Sequence, residues 1–66
     1  MKIRLNAKRI EINDNTNIYE LLQREEFDSH SLVVEYNFEI IPKEKWSNIV
    51  LKENDNLEVL KFIGGG

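Results

Sequence analysis

The sequence predicts an α+β fold: one helix packed on a mixed sheet of four or five strands, with a flexible tail at its C-terminal end. Three observations carry this. Apolar and polar residues alternate with period two near both ends of the chain, as half-buried strands require. A single stretch after Asn17 carries its apolar residues at helical spacing instead. The only three glycines in 66 residues are the last three, Gly64, Gly65 and Gly66.

Met1, Ile3 and Leu5 alternate with Lys2, Arg4 and Asn6, which gives the first strand. Ile10 and Ile12 alternate with Arg9, Glu11 and Asn13, which gives the second. Ala7-Lys8 is the only separation between them, so a tight antiparallel hairpin is expected. Asn13 to Thr16 breaks the pattern. Asn17 then has the character of a helix N-cap, with Glu20 as its capping-box partner. Ile18, Leu21, Leu22 and Glu25 share one face of a helix predicted over 18–26, and Phe27 packs beyond its end.

Leu32 to Tyr36 reads as a third strand and Glu39-Ile40-Ile41 as a short fourth. Asn37-Phe38 joins them. A bulky residue resists positive φ, so this turn is either wider than two residues or strained. Pro42 ends the fourth strand. Lys43 to Ser47 forms one helical turn that brings Trp46 over the core edge. Glu53 to Asn56 is a polar turn, and Leu57 to Ile63 is the last strand, running into the glycines. The expected organisation is one domain over 1–63 and a tail over 64–66. The acidic stretches Glu25-Glu26 and Glu53 to Glu58 read as solvated faces ahead of acid–base pairs, with contact between some of them and basic residues of a partner as the lesser alternative, and His30 reads as an exposed loop residue.

Composition narrows the function. The chain has no cysteine and one histidine, so disulfides, thiolate metal sites, a cysteine nucleophile and a multi-histidine metal site are all excluded. Twelve acidic residues against nine basic give a net charge of −3, which argues against a nucleic-acid-binding surface. No apolar run approaches the length of a membrane span, and Met1-Lys2-Ile3-Arg4 does not open a signal peptide. A cytoplasmic protein is the expectation.

In the last strand Leu57, Val59 and Lys61 face one way, and Glu58, Leu60 and Phe62 the other. Leu57 and Val59 suit the core. Leu60 and Phe62 are then left on the outer face beside the tail, with Ile63 at its root, as a docking surface for a partner protein. The bland alternative is that Phe62 and Ile63 simply complete the core. The tail itself is thin and free in φ. Extended, it reaches roughly 10 Å, enough to carry the Gly66 carboxylate into another protein's active site. A frayed end is the competing reading.

The whole chain resembles the ThiS family of thiamin-biosynthesis sulfur carriers, which has the ubiquitin-like β-grasp fold. The resemblance rests on the opening hairpin with Ile3, Leu5, Ile10 and Ile12 and on the helix Ile18-Tyr19-Glu20-Leu21-Leu22. It continues through Val34-Glu35-Tyr36-Asn37, Glu39-Ile40-Ile41-Pro42 and Trp46, and closes with Leu57-Glu58-Val59-Leu60 leading to Phe62-Ile63-Gly64-Gly65-Gly66. Glycines frequent in the family's turns are replaced here, at Asn6-Ala7, Asn37-Phe38 and Asn54-Asp55.

The resemblance implies a carrier that is no enzyme itself. Its Gly66 carboxylate would be adenylated by an E1-like, ThiF-like adenylyltransferase using ATP and magnesium. The adenylate would become a thiocarboxylate that supplies sulfur to a ThiG-like thiazole synthase, with a sulfur-donor enzyme upstream. Gly65 would thread the partner's channel with Gly66, and Gly64 would act as a spacer. No metal or cofactor would be bound by the chain, and neither nucleic acid nor membrane would be a partner. Alternatives are the small subunit of molybdopterin synthase, a protein modifier joined to lysines, and an interaction module with an idle tail.

Overall fold

The computed structural model describes residues 1–28 and 30–61. The elements run β1 (Lys2–Leu5), β2 (Lys8–Glu11), α1 (Ile18–Arg24), β3 (Leu32–Tyr36), β4 (Glu39–Ile41), a 3₁₀ helix (Lys43–Asn48) and β5 (Asn56–Lys61). All five strands form one sheet in the order β2-β1-β5-β3-β4. β1 and β5 are parallel, and the other neighbours are antiparallel. The last strand is therefore the central one.

The first hairpin turns on Asn6-Ala7, one residue earlier than expected, because Leu5 pairs with Lys8. The second turns on Asn37-Phe38, with Tyr36 paired to Glu39. Both are two-residue turns with every central residue at positive φ: 51° and 68° in the first, 49° and 72° in the second. Asparagine tolerates the left-handed region and alanine or phenylalanine does not, at about 1–2 kcal/mol per residue. Of the two alternatives for Asn37-Phe38, the strained two-residue turn is the one adopted.

Two asparagines offset part of this cost. Asn6 Oδ1 accepts a hydrogen bond from Val59 N–H at 2.7 Å, and Asn37 Oδ1 accepts from Asn56 N–H at 2.8 Å. Their side chains thus prolong the ladders on the two sides of β5.

The helix start is built as the capping box predicts. Asn17 Oδ1 accepts from Glu20 N–H at 2.7 Å, and Glu20 Oε1 accepts from Asn17 N–H at 3.0 Å. Such a cap contributes about 1 kcal/mol. Seven residues cannot hold a helix in isolation, so packing supports it: Ile18, Leu21 and Leu22 are buried among Ile3, Leu5, Val34, Leu57 and Val59. The helix ends at Arg24, two residues short of the expected end. Glu25 is the C-cap and lies exposed, not on the apolar face. Glu26, at φ 61°, turns the chain away where no glycine is available.

Trp46 goes deeper than the core edge. It is 2% exposed, and its Nε1–H donates to the Ile41 carbonyl at 3.1 Å. No helix among the described residues is long and apolar enough to cross a membrane.

Candidate functional site

Three groups of interactions fix β5, the strand that leads to the glycines. Its inward residues Leu57 and Val59 are buried at 0% and 5% exposure. Its flanks are pinned by the two turn asparagines. Its N-terminal end is held by Asp55, a residue expected on a solvated face but only 6% exposed. The Asp55 carboxylate accepts from Lys52 N–H at 2.7 Å and from Tyr36 Oη–H at 2.8 Å. It also accepts from Asn37 Nδ2 at 3.2 Å. Burial, reinforced by the hydrogen bond to the neighbouring carboxylate, pushes the Tyr36 phenol up to about 12.

The outward residues of the sheet follow from the register. Val34 and Val59 are paired and buried, so their neighbours Val33 and Leu60, also paired, face outward. Leu60 is 54% exposed, as the alternation predicts. On the same face lie the directly opposed Glu35 and Glu58. Ile40, opposite Glu35, is 66% exposed. Farther along are Arg4, opposite Asn56, and Arg9, opposite Arg4. The face thus carries Val33 and Leu60 at the end where β5 terminates, Glu35 and Glu58 with the apolar Ile40 one row below, and Arg4 and Arg9 with Asn56 one row below that. Rows two residues apart are separated by about 7 Å.

Leu60 is the one predicted docking residue within the described part of the chain. Phe62, Ile63, Gly64, Gly65 and Gly66 lie outside it. Val33 and Ile40 join Leu60 on the face without having been predicted to do so. Their signal was the alternation in β3 and β4, legible only once the pairing partner of each strand is known.

The described residues contain no group of three or more metal-ligating side chains. The His30–Asp28 pair, at 2.8 Å, is an exposed loop contact. The His30 backbone N–H, and then its ring, hold the Asp28 carboxyl below the usual carboxylate range. An open groove on the helix side is lined by Tyr19, Lys43, Glu44 and Ser47 and includes no predicted site residue.

Comparison with known proteins gives a consistent result. The sulfur carrier protein ThiS of Bacillus subtilis is 34% identical over 65 residues, which cover 97% of this chain and 98% of that protein. A thiazole synthase of Paramagnetospirillum magneticum is 33% identical over 66 residues, all of this chain but only 20% of the larger protein. The crystal structure of a thiamine biosynthesis protein (ThiS) from Geobacter metallireducens superposes with a TM-score of 0.87 at 29% identity, with both chains fully covered. The mixed five-stranded sheet on one helix is therefore a ubiquitin-like β-grasp. The model of the ThiS family matches residues 3–66, and the chain belongs to that family.

Proposed function

We propose that the chain is a sulfur carrier for thiazole formation in thiamin biosynthesis and that the C-terminal carboxylate of Gly66 carries the sulfur. The observation that carries this reading is the match to the ThiS family over residues 3–66, which includes the glycines. Full-length similarity to a sulfur carrier protein supports it.

A C-terminal carboxyl titrates near 3.3–3.7 and is ionised at neutral pH. An anion is a poor electrophile, so its oxygen must first become part of a leaving group. In this reading an E1-like adenylyltransferase joins the carboxylate to AMP, using ATP and magnesium. Sulfur from a donor enzyme then displaces AMP to leave a thiocarboxylate, and a thiazole synthase accepts that sulfur. The partners supply the catalysis. The carrier's part is to present a narrow acyl terminus, so Gly65 and Gly66 pass through the partner's channel and Gly64 spaces them from the body. Leu60, with Phe62 and Ile63, makes the apolar contact beside the tail. These steps belong to the cytoplasm.

Intact mass tests the proposal. Incubated with an E1-like enzyme, Mg-ATP and a sulfur donor, the chain gains the mass difference between sulfur and oxygen, located at Gly66 by fragmentation. An unchanged mass under those conditions refutes it.

A further inference from the structure

The two edges of the sheet are not alike. Backbone bonding alternates along a strand. Asn37 N–H donates to the Asn56 carbonyl at 2.7 Å, so the odd residues of β3 bond to β5 and the even ones, Val34 and Tyr36, to β4. Their partners Ile41 and Glu39 therefore point backbone groups at β3, and Ile40 between them points its N–H and C=O off the sheet. On the other edge, the same alternation turns Glu11 outward on β2. There the Arg24 guanidinium donates to the Glu11 carbonyl at 2.9 Å. Lys8 and Arg9 also put adjacent cations on that strand, which keeps an edge from pairing. Among the described residues no side chain bonds to the backbone of Ile40.

The apolar side chains at this open edge are large. Phe38 is held at φ 72°, in the left-handed region that a side chain of its size resists. It is also 81% exposed, so burial within its own chain does not offset the strain. Ile40 is exposed beside it. The Asn37-Phe38 turn lies at the end of the sheet away from Lys61, because β3 runs antiparallel to β5 with Tyr36 beside Leu57 and Leu32 beside Lys61.

We propose that β4 pairs antiparallel with β4 of a second copy of this chain, Ile40 against Ile40 across a two-fold axis. The edge is complementary to itself in that register. Ile40 exchanges both backbone hydrogen bonds with its counterpart, and Pro42, which has no N–H, ends the ladder. Glu39 lies opposite Ile41 of the second copy, and Lys43 of that copy occupies the diagonal position two residues on, within reach of a long side chain. The two-fold axis repeats this contact, so each seam carries two pairs of opposite charge. Both residues are exposed, and no ion pair among the described residues includes either. A parallel pairing sets Glu39 against Glu39 and loses this match. The antiparallel one also gathers Phe38 and Ile40 of both copies at the junction. Two five-stranded sheets then join edge to edge, with the same patch used on each side. The contact is small, so the dimer is weak and transient. It leaves the Lys61 end of each β5 open and does not depend on the carrier reading.

Sedimentation equilibrium tests this. The wild type is expected to show a monomer–dimer equilibrium with a dissociation constant of roughly 10 μM to 1 mM. The Ile40 amide is expected to gain protection from hydrogen exchange as concentration rises. E39K brings two cations together on each side of the axis, and K43E brings two carboxylates together. Each is expected to weaken dimerisation at least about tenfold. Mixed in equal amounts, the two variants are expected to associate more tightly than either alone, because every seam contact then joins opposite charges. F38G is expected to weaken the dimer while melting no lower than the wild type, which separates a contact role from a structural one.

A wild type that stays monomeric well above about 1 mM overturns the inference and leaves this edge to a different protein. Dimerisation unaffected by E39K and K43E overturns it too, as does a mixture no tighter than its components, since either result places the contact elsewhere. Both charge variants lie at exposed positions, and circular dichroism of each is expected to match the wild type.

Discussion

Asp55→Ala is the most informative test of how β5 is held. The carboxylate accepts from three donors, at 2.7 Å, 2.8 Å and 3.2 Å. Hydrogen bonds to charged groups contribute about 1.5–3 kcal/mol, and a buried donor left alone costs its full desolvation. The Lys52 N–H and Tyr36 hydroxyl bonds are short and partly buried, so both count. The Asn37 amide bond is long and that residue is exposed, so water replaces it at little cost. The expected loss is about 3–5 kcal/mol.

A domain of this size has roughly 3–10 kcal/mol in total, and each kcal/mol moves its melting point by about 4–8 °C. Asp55→Ala is therefore expected to melt at least about 12 °C below the wild type, read by circular dichroism and by urea titration. Tyr36→Phe alone removes one of the three donors and is expected to cost about 1–2 kcal/mol. On the Asp55→Ala background the same change is expected to cost close to nothing, because its partner is gone. An Asp55→Ala protein melting within about 3 °C of wild type, or additive effects in the double variant, would refute the argument.

Other perturbations are equally specific. The Tyr36 phenol is raised from 10.0 to about 12 in the fold, so between those values the folded state holds a proton that the unfolded state has lost. Stability from this group is complete below pH 10 and declines as pH rises toward 12, by at most about 2–3 kcal/mol. Alkaline denaturation of Tyr36→Phe is expected to lack that component. Phe38→Gly and Ala7→Gly each relieve a left-handed non-glycine residue and are expected to raise stability by about 0.5–1 kcal/mol in urea titration. Leu60→Ser is expected to leave the melting point within about 3 °C of wild type, since Leu60 is exposed, while weakening partner binding in calorimetry. Gly65→Ala and Gly66→Ala are expected to abolish adenylation, followed by pyrophosphate release, with melting unchanged.

What was legible in the sequence is what depends on neighbours in the chain. The Asn17–Glu20 box is a three-residue relation, and the alternation in β1 and β5 is a two-residue one, so both could be read directly. The helix end could not. It is set by Glu26 taking a positive φ, which residue type does not announce. The first hairpin slipped by one position because Asn6 takes a turn conformation while its side chain bonds to Val59, 53 residues away. Asp55 looked like one more acidic residue in a polar turn. Its burial depends on Tyr36 and Asn37, which only the β3–β5 pairing brings beside it. The outward side of Leu60 was readable from alternation, whereas Val33, Ile40 and the two like-charged pairs required the strand order.

The central place of β5 has a mechanical consequence. Traction applied at Lys61 along the strand is shared at once by a parallel ladder with β1 and an antiparallel ladder with β3. Both are loaded in shear, so their bonds must fail together, not peel open singly. A pull on this strand therefore meets the resistance of the whole sheet before any single bond gives way.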